Sequence, residues 1–171
     1  MKANWIDLFL VMTVALAVII EFRRGFGKAI FDFAALLIAL RTVSLFHKNL
    51  AGVFSFIHDR QANEAASFAV SFVVLAALLW LIGKRVYDST LISLDTFDPP
   101  LGAVLGVGVA VIVGHVFVKT LFLAYSVDGV LPAALAQSTL GFECLDFPTY
   151  HAIMDFLFRL GQEKAPVSST D

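Results

Sequence analysis

Four ionisable side chains stand inside apolar stretches of this 171-residue chain: Asp7, Arg41, His115 and Lys119. An acid, two bases and an imidazole in a water-poor setting are the ingredients of a proton relay or ion path. A charge at the centre of a membrane helix costs about 2.5–3.5 kcal/mol on insertion scales, so such groups pair or reach water. Two arrangements satisfy that demand. In one, Asp7 forms a buried ion pair with Arg41 or Lys119 at one end of a helix bundle, and a polar path results. In the other, Arg41 and Lys119 extend to the lipid headgroups while Asp7 caps the first helix. His115 lies one helical turn before Lys119, so charging both at once is unfavourable and a neutral His115 with a partner in the bundle is expected.

No other constellation offers catalysis. The chain lacks the His/Glu spacing of a zinc enzyme, a glycine loop followed by lysine, and a serine nucleophile elbow. Asp95 and Asp98 read as solvated turn residues. Cys144 is the sole cysteine, which excludes an intramolecular disulfide and a cysteine-rich metal site; it reads as a small apolar filler. Neither enzymatic activity nor a cofactor or metal is expected. A net charge of −2 without a basic patch gives no reason to expect nucleic acid.

The elements that position the four charges are membrane helices. Apolar residues, glycine not counted, make up 59% of the chain and charged residues 15%. A soluble domain has about 45–50% apolar residues with glycine included and about 25% charged. Four runs are long enough to cross a bilayer core, which takes about 17–25 mostly apolar residues: 5–22, 29–46, 65–83 and 101–125. None shows the alternation of barrel strands, so the expected fold is all-α and polytopic. The first run is longer than a usual signal core and leads into Glu21-Phe22-Arg23-Arg24, not a small-residue cleavage site.

Helical spacing of apolar residues predicts interfacial helices at about 48–58 and 149–160. Pro132 and Gly141 are expected to break the intervening chain into short pieces. Residues 1–161 thus form one integral membrane domain, and 162–171 form a polar tail.

Turns and packing are also encoded. Arg23, Arg24, Gly25 and Lys28 make a tight basic turn between the first two spans, with Glu21 and Asp32 beside it. The loops 23–28 and 84–98 carry more lysine and arginine than the opposite side, which places both in the cytoplasm and the termini outside. Gly102, Gly106, Ala110 and Gly114 recur every four residues, a smooth stripe that lets another helix approach closely. That partner is a span of this chain or a second copy. Asp98-Pro99-Pro100 suits a helix start, with Asp98 as the cap.

Three stretches resemble the CvpA family, the colicin V production proteins. Asn4-x-x-Asp7, the apolar run and Arg24-Gly25-Phe26 resemble the family's opening. Asp98-x-x-x-Gly102-x-x-x-Gly106 is similar to its second pattern, and Gln137-Ser138-Thr139-Leu140 to a third. The chain departs from that family at Pro99 and about Val109, where arginines are frequent. The resemblance implies a bacterial inner-membrane protein without established enzyme activity, linked to toxin production and envelope maintenance. The partners to expect are the lipid bilayer, envelope or secretion proteins, and other copies of the chain. The second functional class is a small oligomeric channel or transporter that uses the four intramembrane charges.

Overall fold

Asn4 starts the first helix: its side-chain oxygen accepts from the Ile6 N–H at 3.1 Å, satisfying one of the donors a helix N-terminus leaves open. The helix, α1, runs Trp5–Arg24 and stops at Gly25, whose φ of +78° an L side chain rarely adopts. The Gly25 N–H donates to the Glu21 carbonyl at 2.9 Å, and the next helix, α2 (Phe26–Val53), begins one residue later. The chain therefore reverses on a single residue. α3 spans Arg60–Thr90 and α4 spans Asp98–Tyr125; the short α5 (Ala133–Ala136) and α6 (Thr139–Asp146) follow. This computed structural model describes residues 4–53, 57–90, 97–126 and 132–147, and no strand occurs among them.

Four helices are long and apolar enough to cross a membrane, as expected. Their bounds are wider than hydropathy indicates. At 1.5 Å per residue the 28 residues of α2 span about 42 Å, against a hydrocarbon core of about 30 Å. Hydropathy marks where lipid ends, whereas backbone hydrogen bonding carries the helix on into the headgroups. Residues 48–53, expected to open a separate interfacial helix, are instead the last turns of α2. No glycine or proline lies between Lys28 and Gly52 to interrupt the helix. That end is tied to α3 by Asn63, whose Nδ2 donates to the Ala51 carbonyl at 3.0 Å and whose Oδ1 accepts from the Ile57 N–H at 3.2 Å. Gly141, expected as a break, lies inside α6. The expected interfacial helix at 149–160 and the polar tail lie outside the described residues.

α4 is the central helix and packs against α1, α2 and α3; α2 also packs on α3. One core cluster joins α2, α3 and α4 through Ala39, Val43, Phe68, Phe72, Ile112 and Val116. A second joins α1 to α4 and α5 through Ile6, Leu10, Val118 and Leu135. The outward faces keep large apolar side chains exposed, among them Leu8, Met12, Leu16, Ile38, Val73 and Leu81. In water that surface would be an association hazard; in lipid it is the required exterior.

Candidate functional site

The small-residue stripe of α4 lies against α1, within the same chain. A Cβ on Gly106 would sit 2.9 Å from both the Ala17 carbonyl oxygen and the Val18 Cα, and one on Gly102 would run into the Glu21 carbonyl oxygen. Ala110, the next position of the stripe, is buried, and Gly114 faces Leu10 and the Cys144 thiol. The two helices are antiparallel, since Gly102 meets the end of α1 and Gly114 its beginning. Polar groups then join α1 to the rest of the bundle at both ends.

At the Asn4 end, the Asn4 Nδ2 donates to the Ala134 carbonyl at 2.5 Å. Asp7 Oδ1 accepts two bonds, from the Ser138 hydroxyl at 2.6 Å and from the Leu140 N–H at 3.0 Å. Ser138 is itself the N-cap of α6 and accepts from the Gly141 N–H at 2.8 Å. Asp7 therefore does not cap its own helix, which Asn4 does. It places a carboxylate at the N-terminus of α6, where the helix dipole favours negative charge. His115 holds the other end of the same segment: its Nδ1 lies 2.7 Å from the Cys144 carbonyl, and its ring stacks on Phe147 at 5.4 Å. A carbonyl only accepts, so Nδ1 carries a proton. Burial, with the Glu143 charge nearby, pushes the Cys144 thiol above its ordinary range.

The four intramembrane charges do not meet in one site. Lys119 sits over the Phe68 ring, 5.2 Å from its centroid, and Arg41 is exposed on α2. Among the described residues no hydrogen bond or ion pair joins any two of Asp7, Arg41, His115 and Lys119. Asp7 and His115 instead share a task, fastening residues 132–147 onto α1 and α4.

At the Gly25 end the structure assembles a cluster that sequence reading noted only as neighbours of the basic turn. The Arg24 guanidinium is ion-paired with Asp32 and lies 3.5 Å from Glu21 Oε1. Glu21 is 3% exposed, and its Oε2 has no hydrogen-bond partner. The Trp80 side chain reaches the Asp32 carboxyl group. Lys28 lies over Tyr87 at 5.5 Å and Lys84 over Trp80 at 5.9 Å. Between α2 and α3 these side chains enclose a cavity of about 320 Å³, lined by Arg24, Lys28, Asp32, Trp80, Lys84 and Tyr87 among others. A more apolar cleft of about 370 Å³, walled in part by Glu21, adjoins it and shares Arg24, Asp32 and Trp80. Arg23, the remaining residue of the basic turn, is exposed.

Asp98 closes the same end. It is not the cap of α4, as expected, but a residue of the helix's first turn; the cap position is Phe97. Its Oδ1 instead accepts from the Gly27 N–H at 3.4 Å, at the start of α2. Gly25 makes room for this, because a Cβ there would collide with the Asp98 carboxylate. Among the described residues no group of three or more His, Cys, Asp or Glu side chains is arranged to hold a metal ion.

The sequence profile of the family described as Colicin V production protein matches residues 6–141. The chain belongs to that family. No curated protein and no solved structure matches it. The stretches that resembled the colicin V production proteins have a shared physical meaning in this fold. Asn4 and Asp7 of the first pattern bind the segment that carries Ser138 and Leu140 of the third. Gly25 of the first receives Asp98 and Gly102 of the second. They are contact pairs between distant parts of the chain.

Proposed function

We propose that this colicin V production family protein is a non-catalytic component of the bacterial inner membrane. It supports toxin production or export, or envelope maintenance, through protein partners. The family match over residues 6–141 carries this reading. The geometry is consistent with it: the polar side chains of the family-like patterns hydrogen-bond within the bundle, so the fold is a braced scaffold. In this arrangement the turn at 23–28 and the stretch 84–98, which takes in the end of α3, face the cytoplasm. The test is deletion of the gene in a toxin-producing bacterium, with secreted toxin and survival in envelope-damaging detergent as readouts. Restoration by the intact chain but not by Asp7→Ala supports the reading; a deletion strain indistinguishable from its parent in both readouts overturns it. Reporter fusions after residues 25 and 90 check the sidedness.

The second reading, a small oligomeric channel or transporter, is left with a different basis. The four charges first considered do not converge, but Glu21 presents a buried carboxylate oxygen without a hydrogen-bond partner. Flux of protons or small ions in liposomes, abolished by Glu21→Gln, would favour that reading over the scaffold.

A further inference from the structure

We propose that the lipid-facing side of α2 around Arg41 docks a transmembrane helix of another protein, one that carries an aspartate or glutamate at the same depth. This deepens the scaffold reading, on which it rests, by naming the chemistry of a partner. Its first support is where the charge sits. Lys28 and Lys48 are exposed on α2 and lie 20 residues apart, about 30 Å at 1.5 Å per residue, which is the thickness of a hydrocarbon core. Arg41 is the one charged side chain of α2 exposed between them, and it stands seven residues, about 10 Å, inside the nearer edge. Leu37, Ile38 and Leu45, one turn to either side, are exposed as well, so the guanidinium opens onto lipid. Among the described residues Arg41 makes no hydrogen bond, ion pair or ring contact.

An arginine near a helix end reaches the headgroups, but the geometry of α2 works against that here. Every Cα–Cβ bond of a helix tilts toward its N-terminus, and long side chains follow that direction. The nearer membrane edge lies at Lys48, toward the C-terminus of α2, so the Arg41 side chain sets out away from it. A charge held in this state is costly and calls for a partner. Headgroup phosphates are absent at that depth, and only another helix brings a polar group there. A carboxylate fits the guanidinium best, because it accepts two parallel N–H bonds and cancels the charge. Among the described residues a second copy offers no exposed carboxylate at that depth. Asp7 accepts from Ser138 and Leu140, while Glu21 and Asp32 are buried around Arg24 at the opposite end of the bundle. The exposed apolar side chains beside Arg41 give the incoming helix its packing surface.

The probe is a synthetic helix of about 20 leucines and alanines, flanked by lysines, with a single Glu, Gln or Leu about one third of the way across the core. Its association with the full chain in phosphatidylcholine vesicles is read by energy transfer from a fluorophore on the chain to a quencher on the peptide. The Glu helix is expected to bind at least tenfold more tightly than the Gln and Leu helices. Arg41→Leu should abolish that advantage, and Arg41→Lys should retain part of it. In cells, a photoreactive residue at Leu45 is expected to crosslink a different membrane protein, through a span that contains Asp or Glu, and to lose that product in Arg41→Leu. Equal association of the three helices overturns the proposal. So does the absence of a crosslink, a crosslink only to a second copy or to a span without a carboxylate, or one unchanged by Arg41→Leu. If Arg41→Leu does not fold, the peptide series on the otherwise unaltered chain decides. That series makes no use of toxin production, so it can fail while the deletion phenotype stands, and the reverse.

Discussion

Asp7 gives the sharpest test of how this bundle is braced. Both of its bonds, from the Ser138 hydroxyl and the Leu140 N–H, end on the same carboxylate oxygen, Oδ1. Asp7→Ala removes that acceptor, leaves two donors unmatched and deletes a negative charge at the start of α6. Hydrogen bonds to charged groups contribute about 1.5–3 kcal/mol each when buried, and the helix-end charge about 0.3–1 kcal/mol. Because Asp7 is only half-buried, a total of about 2–3 kcal/mol is expected. For a chain of this length that corresponds to a fall in Tm of about 4–12 °C. Asp7→Asn keeps an oxygen at the accepting position and loses only the charge, so its expected cost is under about 1 kcal/mol. Thermal unfolding of the purified chain in detergent compares the two. Ser138→Ala made in both backgrounds completes a double-mutant cycle, with an expected coupling of about 1–2 kcal/mol. Equal losses for Asp7→Ala and Asp7→Asn, or a Ser138→Ala cost that is the same with and without Asp7, would refute the bracing role.

Three further outcomes are expected. Gly106→Ala forces a methyl to within 2.9 Å of the α1 backbone and should destabilise by about 1–3 kcal/mol, while Gly52→Ala, with open space around it, should be neutral or slightly stabilising; detergent unfolding of the pair checks this. Arg24→Ala leaves Glu21 and Asp32 facing each other without their cation and should cost on the order of 3 kcal/mol, with folded yield recovered in the Arg24→Ala, Glu21→Gln double variant. The raised Cys144 thiol carries less thiolate than an ordinary cysteine at any pH below its own titration. A maleimide at pH 8 should therefore label it slowly in the native protein and fast after denaturation; equal rates would contradict its burial.

What was legible in the sequence follows from the range of the interactions involved. The four spans were readable because a membrane helix is declared by a continuous local property, apolarity over about 20 residues. Their ends were not, because Arg60, Glu64 and Lys84 are compatible with helix and only mark the edge of the lipid. The stripe of Gly102, Gly106, Ala110 and Gly114 was readable for the same local reason. Its partner was not, since α4 is apolar on every side and period alone does not say whether α1 or another molecule fills the groove.

The fate of Asp7 shows why the charged residues misled. An aspartate in the first turn of a helix after Asn4 has an obvious local role, and the nearest cations in depth are Arg41 and Lys119. The actual partner, Ser138, lies 131 residues away, at the cap of the short helix α6. At the other end the argument runs in reverse. Glu21, Arg24 and Asp32 were visible around one turn, but their convergence depends on a reversal made by a single residue, Gly25, with Asp98 wedged against it. A two-residue turn would separate α1 from α2 and carry Asp32 away from Arg24. Asp98 is therefore more than a clasp on the turn: by fixing where α2 starts, it fixes the distance at which two carboxylates share one guanidinium.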